Sequence, residues 1–464
     1  MKAPELYTEV LELARAKLVA SSEINSSSST FSRAAKLAVL DIQLSLDFEP
    51  RREKVQIEEA NLVESHMRIA YSIPDHREYL RSGYPSEPLL AEAAAQQLAT
   101  WRKQEPFSVV EVLTDIVETG LLDRGELGEL TGRQLLLDAY HRAVEFEHDK
   151  KKPLNYSAGC RLVTFINELF TSKYAGMILN STPDNVAGLP FKEVFKDALV
   201  CFTHFGKMAD DTGVTSTAAW AAFVRHMAII CPNNQRSVDC ILPVLLRDTR
   251  LCEHVMTGFF IQFKRRKTGG TVAKYSIDQA EFNFFPKTSG GCTHGSTTTP
   301  HRPYVSLIME LGLQPKIVEE ATTPTIFKPL AESSKKPSGR RPRTPPSGGG
   351  PDPATPSKIY IPQYGQRHHD AKGHARYNIF AYGCSSSVYH GIDASQNHLY
   401  AHLLNSRDFL GEHPRKDGQT LKAVRRMKPF WNGGDDCYHW VEHNAILHGP
   451  VRPPGVEFGV GDHM

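Results

Sequence analysis

The hydrophobic period of this chain changes once, near residue 208, and that change restricts the fold more than any single motif. Up to about Met208, apolar residues recur at three and four positions with few β-branched runs, the spacing of amphipathic helices. Leu6, Val10, Leu13 and Leu18 share one face of the first expected helix. The serine run 26–29 interrupts the pattern, and Ser32 is placed to cap a second helix over 33–46. Further helices are expected at 55–71, 89–101, 108–119, 132–147, 162–172 and 191–202. Pro74, Pro85, Pro153, Pro183 and Pro190 separate most of them.

Beyond about Thr215 the character differs. One more helix is expected over 216–230, with Trp220, Phe223, Val224 and Met227 on one face. Strongly apolar runs follow at 241–246, 255–263, 304–309 and 377–382, too short for buried helices. A helix followed by several buried strands predicts an α/β layer on a mixed sheet. The expected organisation is therefore a large all-α N-terminal region, 1–208, then an α/β core, 209–330. Residues 331–372 form a basic linker rich in Pro, Gly and Ser, with Lys335, Lys336, Arg340, Arg341 and Arg343, whose composition predicts disorder. The remainder of the α/β domain and C-terminal helices, around 399–410 and 421–427, are expected in 373–464.

Composition narrows the function classes. With 54 basic and 52 acidic residues the formal charge is +2, which excludes a histone-like nucleic-acid binder and leaves room for a local basic groove. The first residues, Met1 to Leu6, lack the apolar core of a signal peptide, and no stretch reaches membrane-spanning length. The expectation is an intracellular protein, cytoplasmic or nuclear, with no membrane partner. Its eight cysteines contain no Cys-x-x-Cys pair and read as buried free thiols. Cys437, His439 and His443, with Cys384 or His390, have donor types that suit zinc, but their spacing is not that of a known finger, and surface and core histidines are the simpler account.

Within 255–264, strand alternation puts Gln262 and Lys264 on one face, with Ile261 and Phe263 on the other. A buried strand rarely spends two polar side chains on one face, because leaving one unsatisfied costs about 1–3 kcal/mol. Asp239 opens the preceding strand, 23 positions before Gln262, and is placed to lie beside them. Directly after comes the cationic run Lys264-Arg265-Arg266-Lys267, which is either a solvated strand end or a phosphate-backbone contact. The bland alternative for the triplet is a polar edge on an otherwise buried hairpin.

An acid opening one strand, then Gln-x-Lys ending the next, resembles the core of restriction-endonuclease-like nucleases. Residues 238–246 and 261–264 further resemble the nuclease domain of crinkler-type effector proteins. Ser65-His66-Met67-Arg68, Ala209-Asp210-Asp211-Thr212 and residues 425–431 are similar to a group of uncharacterised proteins of mushroom-forming fungi, which brings no established activity. The nuclease resemblance implies a restriction-endonuclease-like mixed sheet flanked by helices and a Mg²⁺ ion. Asp239, the Gln262 side-chain oxygen and the Phe263 carbonyl would hold that ion. Lys264 would stabilise a phosphodiester transition state, and Arg265, Arg266 and Lys267 would contact the DNA or RNA backbone.

Two features depart from the pattern. Gln262 stands where a glutamate is usual, and the expected helix 216–230 lacks the carboxylate such nucleases add, with Asp210 and Asp211 only nearby. No Gly-x-x-x-x-Gly-Lys-Ser/Thr loop signals a nucleotide cofactor. Two other readings stay open: a nuclease fold without catalysis that binds nucleic acid or protein, and a partner-binding protein whose surface helices show an uncovered apolar face.

Overall fold

The computed structural model describes residues 3–48, 53–75, 78–104, 107–122, 127–208, 213–232, 235, 237–247, 255–265, 277–285, 301–312, 358–362 and 373–405. Chain order begins with helices α1 (Ala3–Val19), α2 (Arg33–Leu44) and α3 (Glu53–Ser65), a hairpin of β1 (Ile69–Ser72) and β2 (Arg81–Gly83), then α4 (Pro88–Gln104), α5 (Val109–Glu118) and α6 (Leu127–Glu147). Next come β3 (Cys160–Arg161), α7 (Leu162–Leu169), α8 (Ser172–Leu179), α9 (Phe191–Val194), β4 (Leu199–Val200), β5 (His204–Lys207), α10 (Ser216–Val224) and β6 (Met227–Ile230). The long strands are β7 (Cys240–Leu245), β8 (Met256–Lys264), β9 (Tyr304–Glu310) and β11 (Arg376–Tyr382), with short β10 (Lys358–Tyr360) and a last helix, α11 (Asn397–Asn405).

These strands build one mixed sheet in the order β10-β11-β9-β8-β7, beyond which the far edge of β7 is shared end to end by β4 and β6. β7 pairs antiparallel with β8, which runs parallel to β9, as β9 does to β11. Alternation along the strands fills two apolar layers. Phe259, Ile261, Phe263, Leu307 and Ile379 enter a large core shared with α2, α4, α5, α6 and α7. On the opposite face Ile241, Phe260, Ile308 and Phe380 meet Ala219 and Ala222 of α10 together with Ile277 and Phe284.

The expected α/β architecture is therefore present, with three corrections. First, the region to 208 is not all helical. Met67, at φ 63°, reverses the chain after α3, so the expected helix 55–71 ends in β1. The expected helix 191–202 shrinks to one turn before β4, and β3 and β5 also fall in this region. The helical region shares its core with the sheet, so no break in packing occurs at 208.

Second, α10 stops at Val224, where His226 at φ 51° turns Met227–Ile230 into a strand. Its small residues face the sheet, because alanines allow close approach, and Trp220 and Val224 point outward. Likewise α1 buries Leu11 and Leu18 and leaves Leu6, Val10 and Leu13 exposed. Third, β10 pairs with β11 inside the span assigned to the linker; residues 331–357 and 363–372 lie outside the described residues. Elsewhere the local chemistry acts as read, and the Ser32 hydroxyl caps α2 by accepting the Ala35 amide at 3.0 Å. The five described cysteines, 160, 201, 231, 240 and 384, are buried free thiols. No helix among the described residues is long and apolar enough to cross a membrane.

Two clusters of buried charge in this core are paired. Arg68, from the Ser65–Arg68 motif, is buried and ion-paired to Asp41, and it donates to the Ser82 hydroxyl at 2.7 Å and the Ser82 carbonyl at 2.9 Å. Glu59 lies 3.6 Å away and accepts from Ser82 Oγ. Burial lowers the guanidinium to about 10, leaving it charged at neutral pH. The motif thus ties α2, α3 and the β1–β2 hairpin together. At the start of β11 a second cluster forms, where Asp184 accepts from Arg376 Nε at 2.8 Å and Asn378 Nδ2 at 3.2 Å.

Removing one partner from such a cluster strands the others. Arg68→Met is expected to cost about 3–5 kcal/mol in urea unfolding, because Asp41 and Glu59 remain buried without their cation. Acid should also destabilise the fold. Burial lowers His141 and His204 to about 3, the neighbouring Arg102 and Arg225 respectively adding to it. Their folded values lie below the unfolded value near 6.5, so the stabilisation is present above that pH and is lost as pH falls toward 3. Each contributes a slope of about 1.4 kcal/mol per pH unit in that window. A pH series of unfolding midpoints checks this, with the slope reduced in His204→Asn.

Candidate functional site

β8 extends past the start of β7, and that overhang organises the site. Asp239 precedes β7 by one residue, and its amide donates to the Ile261 carbonyl at 2.9 Å. The register Cys240↔Ile261 therefore puts Asp239 opposite Gln262. Beyond this point the Phe263 amide, which faces β7, has no strand residue to meet. The Asp239 carboxylate accepts it at 2.7 Å through Oδ2. Burial raises the Asp239 carboxyl above the usual carboxylate range, opposed by the Phe263 amide and by the Lys264 charge.

Gln262 is 6 % exposed, and its Oε1 is buried without a hydrogen-bond partner among the described residues. An unmet carbonyl of this kind costs about 1–3 kcal/mol. Lys264 follows on the same face and aligns with the buried Glu310 of β9. The sequence-derived triplet is thus brought together at the carboxyl end of β8, where parallel strands commonly place ligands.

The helical layer adds residues that the sequence reading missed. α6 begins at Leu127 rather than at the expected 132, so Gly128 and Glu129 belong to it. Gly128 and Gly132, one turn apart, let the helix settle on the end of β8. A Cβ at Gly128 would stand 3.2 Å from Arg265 Cβ, and one at Gly132 would overlap the Phe263 ring. Glu129 is carried between them. Burial raises its carboxyl, repulsion from Asp239 adds to that, and Arg133 and Lys207 oppose it. Arg133, one turn on, is 2 % exposed, and its Nε finds no partner among the described residues. The only trace of this in the sequence is the pair of glycines four apart inside an apolar helical pattern. Nothing links Glu129 to strands more than a hundred positions later.

Other sequence candidates fare differently. Arg265 is partly buried beside Gly128, while Arg266, Lys267, Asp210 and Asp211 lie outside the described residues, as do Cys437, His439 and His443. Cys384 is fully buried with its thiol pushed up, and His390 is exposed beside Glu168. Among the described residues no three His, Cys, Asp or Glu side chains gather as a metal site. The 383–387 turn satisfies itself internally, with the Ser386 amide donating to Asn397 Oδ1 at 2.9 Å. Tyr377, Phe380 and Tyr382 are packing residues. A groove of about 930 Å³ is lined by Tyr7, Arg15, Thr100, Lys103, His148 and Asn155 among others and by no residue of the triplet. It gathers none of the orphaned polar atoms found at β8, and chemistry is better sought at the strand ends.

Fold and site together define a mixed α/β protein with an acidic and basic cluster at the end of its central hairpin. Residues 25–278 match a family described as a domain of unknown function (DUF8736), more than half of the 464-residue chain, and the protein belongs to that family. The matched span contains α6, β7 and β8, hence Glu129, Asp239, Gln262 and Lys264. Neither the curated proteins nor the solved structures provide a match.

The α6 contact is open to test. Gly132→Ala is expected to destabilise by about 1–3 kcal/mol, since overlap with the Phe263 ring exceeds the gain of up to about 1 kcal/mol from helix propensity. Gly128→Ala, with more room, should cost less. Urea denaturation of the two variants measures the difference.

Proposed function

We propose that this protein is a metal-dependent nuclease with a weakened metal site, hydrolysing phosphodiesters of DNA or RNA. The observation that carries the reading is the meeting of the Asp239 carboxylate, the orphaned Gln262 Oε1 and Lys264 at one strand end. Topology supports it as well. α10 leads into an antiparallel meander, β6-β7-β8, followed by the parallel strand β9, an order compatible with a restriction-endonuclease-like core. The same sheet fits the crinkler-like resemblance of residues 238–246 and 261–264.

The donor set suits a hard cation. Asp239 Oδ1 is not needed by the Phe263 amide, and Gln262 Oε1 has no donor among the described residues, so both have lone pairs for Mg²⁺. A bound Mg²⁺ supplies Lewis acidity and a water of lowered pKa. Asp239 is held in place by the Phe263 amide, which fixes its carboxylate before substrate arrives. Lys264 brings positive charge to the phosphate oxygens as charge develops, and Arg265 extends that charge along the backbone. Replacing glutamate by Gln262 removes one negative charge from the donors, which lowers metal affinity.

A second reading is favoured by one specific observation. α1 exposes Leu6, Val10 and Leu13, spaced four and three apart on one helical face, an apolar stripe suited to a protein partner. In that reading the β8 end binds nucleic acid or nothing, and the helical region does the work.

Incubation with plasmid and single-stranded substrates, with and without Mg²⁺ or Mn²⁺, separates these possibilities. Metal-dependent nicking is expected, falling about 100-fold or more in Lys264→Ala. Gln262→Glu should lower the metal concentration required. Nicking that survives Lys264→Ala would sink the site assignment, and nucleic-acid binding without nicking would identify an inactive nuclease fold.

A further inference from the structure

We propose that His301 and His374, just before β9 and β11, form a two-imidazole site for a divalent transition metal, Zn²⁺ foremost, which clips the two strand entrances together. The site is independent of the reading of Asp239, Gln262 and Lys264, because those residues lie at the other end of the parallel strands.

His374 is held as a metal ligand is held. Its Nδ1 lies 2.9 Å from the Arg302 carbonyl, which only accepts, so Nδ1 carries the proton and Nε2 keeps its lone pair. Metal-bound histidines characteristically donate their second ring nitrogen in this way. Phe285 stacks on the ring at 4.2 Å and 13°, which fixes its plane. Burial lowers the His374 pKa, opposed by the Arg302 carbonyl and Asp278 and reinforced by the charges of His301 and Arg302, so the ring is neutral at pH 7.

His301 is exposed, so an ion can reach it from solvent. Its ring centre stands 5.5 Å from that of His374, with 88° between the planes. Zn–N bonds of about 2.0–2.1 Å at a tetrahedral angle put two imidazole centres roughly 5 Å apart, so the pair needs little adjustment. Gly373, at φ 125°, makes room for it, since a Cβ there would stand 3.0 Å from His301 Nδ1. The nearby cations are engaged elsewhere. Arg302 lies over the Phe285 ring at 4.3 Å and donates to the Met256 carbonyl at 2.9 Å, and Arg376 is held by Asp184. Asp278, whose charge reaches His374, favours a cation. Among the described residues no third His, Cys, Asp or Glu joins the pair, so water fills the other positions. Imidazole donors without a carboxylate select Zn²⁺, Cu²⁺ or Ni²⁺ over Mg²⁺, which separates this site chemically from the end of β8.

Calorimetric titration of the full chain with Zn²⁺ in excess Mg²⁺ counts the bound ions. His301→Ala and His374→Ala are each expected to lose one equivalent relative to wild type, or to bind it at least about tenfold more weakly. His390→Ala, which removes an exposed imidazole beside Glu168, should keep the full count. Zn²⁺ should also raise the Tm of wild type more than that of His301→Ala. If His374→Ala melts early through loss of the Phe285 stack, His374→Phe keeps a ring there and should lose the same equivalent. Equal count and affinity in wild type and His301→Ala overturns the site and leaves the two rings as edge-to-face packing. Full binding in His374→Phe overturns the pairing, as does a wild type that binds no Zn²⁺.

Discussion

β8 lies between two apolar layers, and the need to pair its main-chain groups governs the structure around it. β7 and β9 serve most of them. Where β7 has not yet begun, the Asp239 side chain takes over by accepting the Phe263 amide, and on the other edge the Leu311 amide donates to the Lys264 carbonyl at 2.8 Å. Asp239 is thus first a backbone partner, which explains why a carboxylate tolerates this degree of burial. The same requirement fixes the register that sets Asp239 opposite Gln262.

Several other buried polar groups among the described residues have their partners. Asp184 is held by Arg376 and Asn378, Arg68 by Asp41 and Ser82, and Glu92 accepts from the Tyr156 and Ser157 amides and from Ser157 Oγ. Those clusters staple elements together and need no ligand to account for them. Gln262 Oε1 differs, because it is as deeply enclosed and unmet. Unmet buried atoms also occur elsewhere among the described residues, at Gln43, His141 and Tyr389 for example, but Gln262 stands in register with an acid, Asp239, and two residues before a lysine. That is the physical ground for looking there for chemistry in a family whose function is not known.

The helical region and the sheet depend on each other. Phe259, Ile261 and Phe263 enter the same core as the helices, and α6 approaches the end of β8 because Gly128 and Gly132 leave room for Arg265 and Phe263. A substitution on α6 therefore acts on the strand end, and the two halves of the chain share one core.

Much of this was written in the sequence. The four long strands were legible because a strand buried on both faces must be apolar throughout, and Gln262 and Lys264 stood out against that background. Asp239 was legible from its position at a strand start. Helix ends were harder: Met67 and His226 reverse the chain in left-handed conformations that no local pattern requires of a methionine or histidine. The faces of α1 and α10 were also misread, since periodicity gives the spacing of apolar residues but not which neighbour arrives to cover them. Glu129 was beyond reach for the same reason. Spacing along the chain determined that two polar side chains share the face of a buried strand; only the packing of α6 against the other face of that strand brought Glu129, more than a hundred residues earlier, within reach of the Asp239 charge.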